Sequence, residues 1–174
     1  MRPTYPATKY FSDELLPPAQ AIETDNQQEL ARLLTPTLPK TAPDGMTLLL
    51  YAMMNRRKEC MQVLLTHGID PNQQTLLGQD REQAQAVGLA AGGEDLAILR
   101  VLLDHGGNPN SQYQHIPALI QAAEADRFDQ MRLLLEHGAA INGQAPDGRT
   151  AAIVLADNAR FDQVAYLIKQ GADI

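Results

Sequence analysis

A five-residue string, Leu-Leu-x-His-Gly, occurs three times in this chain, each time with an Asn four residues beyond the Gly. The copies are residues 64–68 with Asn72, residues 102–106 with Asn110, and residues 134–138 with Asn142. A degraded fourth copy, Leu167-Ile168-Lys169-Gln170-Gly171, stands near the end of the sequence. Successive glycines are 38, 32 and 33 residues apart. A Leu pair just ahead of a Gly reads as the end of an amphipathic helix, with the Gly as the left-handed cap through which the chain leaves it. A unit this small cannot bury its own apolar face, so a period near 33 residues demands neighbours stacked in a row.

Aligned on these glycines, the upstream residues also fall into register. Ala42-Pro43-Asp44-Gly45 and Ala145-Pro146-Asp147-Gly148 stand at equivalent places in the second and the last unit. Pro fixes φ and Gly supplies φ > 0, so each string predicts a turn. Thr47 and Thr150, two residues past each Gly, are placed to cap a first helix. In the second unit that helix runs through Leu49 and Ala52, and a second helix covers about residues 59–66. In the last unit the pair covers residues 152–156 and 162–169. The third unit carries Val87, Leu89, Ala90 and Ala91, then Leu96, Ile98, Leu99 and Leu102, with Gly92-Gly93 as the turn between its helices. The fourth has Pro117 at the Thr position, then Ala122-Ala123, Phe128, Met131 and Leu134. Ala21, Ile22, Leu30, Leu33 and Leu34 mark an N-terminal unit without the Gly-x-Thr opening, as suits a terminal cap.

With 174 residues, 44% of them hydrophobic and 20% charged, the chain has enough apolar material to bury a core. Aromatic residues are only 5% and Trp is absent, which suits cores of Leu, Ala, Ile and Met between closely packed helices. A net charge of −7 without a Lys/Arg run argues against nucleic acid and anionic membrane as partners. A single Cys excludes an internal disulfide. The longest apolar stretch, residues 46–54, is far shorter than the roughly 20 residues that cross a bilayer. No secretory signal is read in residues 1–13, which implies a cytoplasmic protein if Met1 is the native start, and a periplasmic one if an export leader has been removed.

The repeated helix pair, the Pro-Asp-Gly turns and the His-Gly exits resemble the ankyrin repeat. The resemblance covers residues 16–174, as one divergent N-terminal cap plus four repeats, and leaves residues 1–15 as an N-terminal extension. The chain departs from the family in that no unit carries Thr-Pro-Leu-His. What the resemblance implies is an all-α solenoid of stacked helix–turn–helix units with finger loops, and a non-enzymatic role in binding other proteins. It also puts the extra residues of the 38-residue spacing in a finger, residues 74–82, that projects towards the binding face. Either that finger touches a partner, or it is a neutral insertion whose Leu76 and Leu77 tuck onto a neighbouring unit.

Residues able to carry chemistry are present but wrongly spaced. His67, His105 and His137 occupy the same point of successive units. Helices packed roughly 8–10 Å apart cannot bring them together on one ion at about 2 Å each. Bonding to terminal carbonyls or neighbouring loops is their expected role, and no metal or cofactor is expected. His115 falls in a finger, beside Tyr113 and Gln114. Asp44 and Asp147 sit three units apart, on the order of 30 Å by that helix spacing, whereas paired glycosidase carboxylates need about 5–10 Å. Cys60 aligns with Ile98, an inward position, and reads as a small core hydrophobe rather than a nucleophile. No catalytic site is read.

Binding surface remains. On the resemblance, finger tips and the exposed side of the first helix supply Asp44, Met46, Met54 and Asn55 in the second unit, and Leu76, Leu77, Arg81 and Glu82 in the third. The fourth unit supplies Tyr113, Gln114, Ile116 and Glu124, and the fifth Asp147, Arg149, Asp157 and Asn158. Met46, Met54, Tyr113 and Ile116 stand out as apolar or aromatic anchors within a polar ring. Alternatively, these side chains pack between units. The acidic excess favours a partner with a basic patch. With Tyr10-Phe11-Ser12-Asp13 ahead of its cap, the chain also resembles bacterial ankyrin proteins paired with secreted toxins. That resemblance implies an immunity protein that binds and occludes a cognate effector, such as a type VI secretion lipase. The alternative is an intracellular scaffold or regulatory adaptor unrelated to toxins.

Overall fold

The protein is described by a computed structural model at residues 5–39, 41–77 and 82–173. Among the described residues its α-helices come in five antiparallel pairs. Unit 1 holds α1 (Leu16–Glu23) and α2 (Gln27–Leu33), and unit 2 holds α3 (Leu48–Met54) and α4 (Lys58–Thr66). Unit 3 holds α5 (Ala86–Ala91) and α6 (Leu96–Asp104), and unit 4 holds α7 (Ala118–Glu124) and α8 (Phe128–Glu136). Unit 5 holds α9 (Ala151–Asp157) and α10 (Phe161–Lys169). First helices stack on first helices, α1 on α3 and α5 on α7 on α9, while α2, α4, α6 and α8 stack in the second layer. The expected all-α repeat solenoid is what the chain forms.

Each helix end follows from local chemistry. Thr47 and Thr150 accept hydrogen bonds from the N–H groups of Leu50 and Ile153, the cap that their place after Pro-Asp-Gly predicts. Asp44 and Asp147 each accept the N–H two residues on, from Met46 and Arg149, and fix the turn that leads into the cap. At the other end of each unit, Gly68, Gly106, Gly138 and Gly171 have φ between +84° and +99°. The next N–H then reaches back five residues, from Ile69, Gly107, Ala139 and Ala172 to the carbonyls of Leu64, Leu102, Leu134 and Leu167. That bond closes the last helical turn, and all four of these leucines are fully buried.

Between units, the Asn four residues past each Gly does the joining. Asn72 accepts from Asn108 N–H and donates to Gly106 carbonyl, and Asn110 accepts from Ala140 N–H. Asn142 accepts from Asp173 N–H and donates to the Asp173 carboxylate. One side chain per unit therefore fixes the position of the next exit loop. His67, His105 and His137 bond through Nδ1 to the carbonyls of Val63, Val101 and Leu133, the helix-end role expected of them.

Two features add to the expected architecture. The finger of unit 3 is a hairpin, β1 (Thr75–Leu77) and β2 (Glu82–Ala84), and the finger of unit 4 is another, β3 (Gln112–Tyr113) and β4 (Ile116–Pro117). They join through Ala84 and Tyr113 into one antiparallel sheet in the order β1-β2-β3-β4. Residues 5–15, expected as a mere extension, fold back over α1 and α3 through two short 3-10 turns. Ala7, Phe11 and Leu15 are buried there.

The exit glycines separate backbone demand from packing, because a Cβ on Gly138 would meet no atom within 4 Å. Gly138→Ala should therefore destabilise by about 1–2 kcal/mol through its positive φ alone, lowering Tm by roughly 2–8 °C. Gly92 has φ −83° and room for a methyl, with its nearest neighbour at 3.6 Å. Gly92→Ala should leave Tm unchanged within about 1–2 °C. Thermal melts of the two variants check this.

Candidate protein-binding face

The first helices and the fingers line one side of the stack, and the described members of the set expected to bind a partner lie there in three groups. The first lies in unit 2. Asp44 is exposed at the turn, but Met46 is only 5% exposed and belongs to the core. That corrects its expected role as an exposed anchor. Met46 immediately precedes the Thr47 cap, a position from which an apolar side chain folds back over the first helical turn. Met54 is half-buried against the same core, so its apolar character also serves packing. Asn55 is engaged within the chain: its side chain accepts from Tyr5 N–H at 3.0 Å and donates to Tyr51 carbonyl.

The second group is the finger sheet. Leu76 and Leu77 lie on β1 and Glu82 opens β2, while Arg81 lies outside the described residues. Tyr113 is half-buried, its carbonyl accepting from the Gln121 amide of α7, and Ile116 packs partly against the core. Gln114 and His115 form the two-residue tip between β3 and β4, with φ of +52° and +63°. This turn ordinarily favours Asn-Gly, and holding two other side chains there costs on the order of 1 kcal/mol each. The tip is braced from the longer finger, since Gln114 N–H donates to Gln83 carbonyl. The 38-residue spacing thus yields two paired strands that widen the neighbouring finger.

Gly88 seats this sheet. It lies on α5, where equivalent positions hold Leu50, Ile120 and Ile153. A Cβ there would stand 2.6 Å from the Gln112 backbone carbon and 2.9 Å from Tyr113 nitrogen, both backbone atoms of β3. Gln85, the residue before α5, holds the same strand: its N–H donates to Gln112 carbonyl and its side-chain oxygen accepts Gln112 N–H. The repeat alignment alone gave no reason to single out either residue. A Gly in the middle of a short helix was the available signal.

The third group is a charge cluster across units 4 and 5. Arg149 lies 2.6 Å from Asp147 and 3.5 Å from Glu124, and Asp157 adds to its field. The Arg149 hydrogen bonds hold the Asp147 carboxyl below its ordinary value. Asn158 is exposed at the end of α9. Three carboxylates around one guanidinium leave this patch acidic.

Among the described residues, no group of three or more His, Cys, Asp or Glu is placed to hold a metal ion. Cys60 is fully buried, and burial, followed by its contact with Asp25, pushes its thiol up to about 12, far from nucleophilic. No described helix is long and apolar enough to cross a membrane.

A sequence model of ankyrin repeats in three copies matches residues 85–174, and one of a single ankyrin repeat matches residues 44–73. The chain belongs to the ankyrin-repeat family. Similar relatives include an ankyrin repeat and KH domain-containing protein, mask-1, of Caenorhabditis elegans, 30% identical over 79% of this chain and 5% of the relative. Alpha-latrocrustotoxin-Lt1a of Latrodectus tredecimguttatus is 32% identical over 55% of this chain and 7% of the toxin. The mitochondrial disaggregase of Bos taurus is 31% identical over 69% of this chain and 18% of the relative. The ankyrin chain thus spans a small part of each of these proteins. Repeats of this family generally act by binding other proteins.

Gly88→Ala should unseat β3 from α5. Hydrogen exchange should then accelerate at least ten-fold at the Gln85 and Gln114 amides, which bond across the fingers, while the amides of α8 keep their protection.

Proposed function

We propose that this ankyrin protein is a non-catalytic binding module and, most concretely, an immunity protein that covers the active-site entrance of a secreted bacterial effector. The observation that carries the binding role is the finger sheet. A braced, strained tip at Gln114-His115 stands beside Tyr113, on the same side of the stack as the acidic cluster at Glu124, Asp147 and Asp157. Such a surface suits a partner with a basic patch and a pocket for an aromatic ring. The immunity role is supported by the resemblance to toxin-paired bacterial ankyrin proteins, and a face of stacked first helices and a finger sheet could cover an active-site mouth. A lipase working from the periplasm would require the protein to be exported there. An adaptor unrelated to toxins is the reading to fall back on, since it would use the same face.

Titrating the protein against the activity of an effector encoded beside it is the direct test. Inhibition should be complete at one equivalent, because a chain that only covers the entrance acts stoichiometrically. Undiminished activity at excess ankyrin protein would end the immunity reading and leave the adaptor. In the purified complex, Tyr113→Ala and Arg149→Ala should each weaken binding by about ten-fold or more, on the scale of interface anchors. Gln62→Ala and Arg132→Ala, exposed on the second helices, should be close to neutral.

A further inference from the structure

Residues 5–15 are held by side chains that capture main chain. Asn55 accepts from Tyr5 N–H at 3.0 Å, Tyr51 donates its phenol hydrogen to Tyr5 carbonyl at 2.5 Å, and Glu23 accepts from Ala7 N–H at 3.0 Å. The segment's aromatic side chains then close on Tyr51, Phe11 edge-on at 5.1 Å between ring centres and Tyr10 tilted at 6.1 Å. Tyr51 has no exposed surface, and its phenol is pushed up to about 12 by burial first and by Glu23 second.

Of the capturing groups only Tyr51 lacks a counterpart in the later units, since Asn158 repeats Asn55 and Glu124, like Glu23, ends a first helix. Tyr51 aligns with Leu89, Gln121 and Val154 in the later units, and Asn55 with Gly93, Ala125 and Asn158. These positions lie on the first helices, the side of the stack that carries the fingers. Where residues 5–15 end, a cleft of about 500 Å³ opens between Ser12–Leu15 and the Pro39, Thr41, Ala42 and Pro43 side of the next finger, so the segment does not fill all the space beside it.

We infer that units 1 and 2 form a groove for a peptide carrying two adjacent aromatic side chains, and that residues 5–15 occupy it in cis. The polar hooks recognise the peptide backbone and Tyr51 recognises the aromatic pair, so the ligand is defined by chemistry that another chain can present. The bound segment also shields this end of the stack, and a partner docking there must displace it. The inference stands apart from the binding role proposed above, since it concerns the other end of the face and its test needs no partner.

The probe is a fluorescent synthetic peptide of residues 5–15, added to the full chain. A tethered segment competes at an effective concentration on the order of millimolar, so the unmodified protein should bind the probe weakly. The full-length double variant Tyr10→Ala/Phe11→Ala, whose own segment is loosened, should bind it at least ten-fold more tightly. Adding Asn55→Ala to that variant should remove at least ten-fold of the affinity, and a probe with both aromatics replaced by Ala should not bind. A folded double variant without saturable binding would overturn the inference. Hydrogen exchange on the unmodified chain decides independently of any variant's folding. The Tyr5 and Ala7 amides should exchange at least 100-fold faster than those of α4, because an exchangeable ligand leaves while the stack stays folded. Exchange at the α4 rate would make the segment a fixed part of the core and refute the groove.

Discussion

The left-handed glycine at the end of each second helix from unit 2 onward is the constraint on which the stack depends. It turns the chain out of the helix at the one point where the backbone can reverse without a Cβ clash, and it lets the following N–H close the last turn onto a buried leucine. That closure aims the exit loop so that Asn72, Asn110 and Asn142 each reach the equivalent loop of the next unit. Helix termination, burial of the first leucine of the pair and the join between units are thus one event repeated down the chain. Stability in such an array is close to a sum of unit and nearest-neighbour terms, so an error at one glycine is felt mainly by its two flanking units.

Charge supplements the joins without creating them. Arg57 lies near Asp25, Arg127 near Glu94, and Arg160 pairs with Asp126, each linking the inter-helix turn of one unit to the next. These pairs are half-exposed, and such contacts contribute about 0–1 kcal/mol each. At the same turns Asp25, Arg56, Asp126 and Ala159 take the left-handed conformation, which unit 3, with Gly92-Gly93 in its turn, does not adopt. Unit 3 is also where α5 carries Gly88 and where the finger is long. The departures from the repeat therefore cluster in the unit that builds the finger sheet, and the candidate face owes its shape to them.

The candidate site was less legible in the sequence than the fold. Alignment on the glycines put Asp44, Glu124, Asp147, Arg149, Asp157 and Asn158 at the finger turns and first-helix ends where they lie, because position within a repeat determines which face a residue occupies. It could not tell an exposed residue from one covered by a segment distant in sequence. Met46 and Met54 looked like anchors, yet one is core and the other half-buried, and Asn55 serves residues 5–15. A signal was present in that segment, since Tyr5, Tyr10 and Phe11 are three of the chain's eight aromatic residues. Rings crowded into so short a stretch require apolar surface to cover.

By itself the sequence determined the repeat, its helix ends, the burial of the first leucine of each pair and the helix-end role of the histidines. All of these follow from interactions within a few residues or from a pattern that recurs at fixed spacing. Only the tertiary structure decided that two fingers merge into one sheet, that Gly88 makes room for it, and that residues 5–15 lie across units 1 and 2. These contacts join residues about 20–50 positions apart with no periodic pattern to announce them. Their geometry depends on how closely whole units approach, which no local propensity encodes.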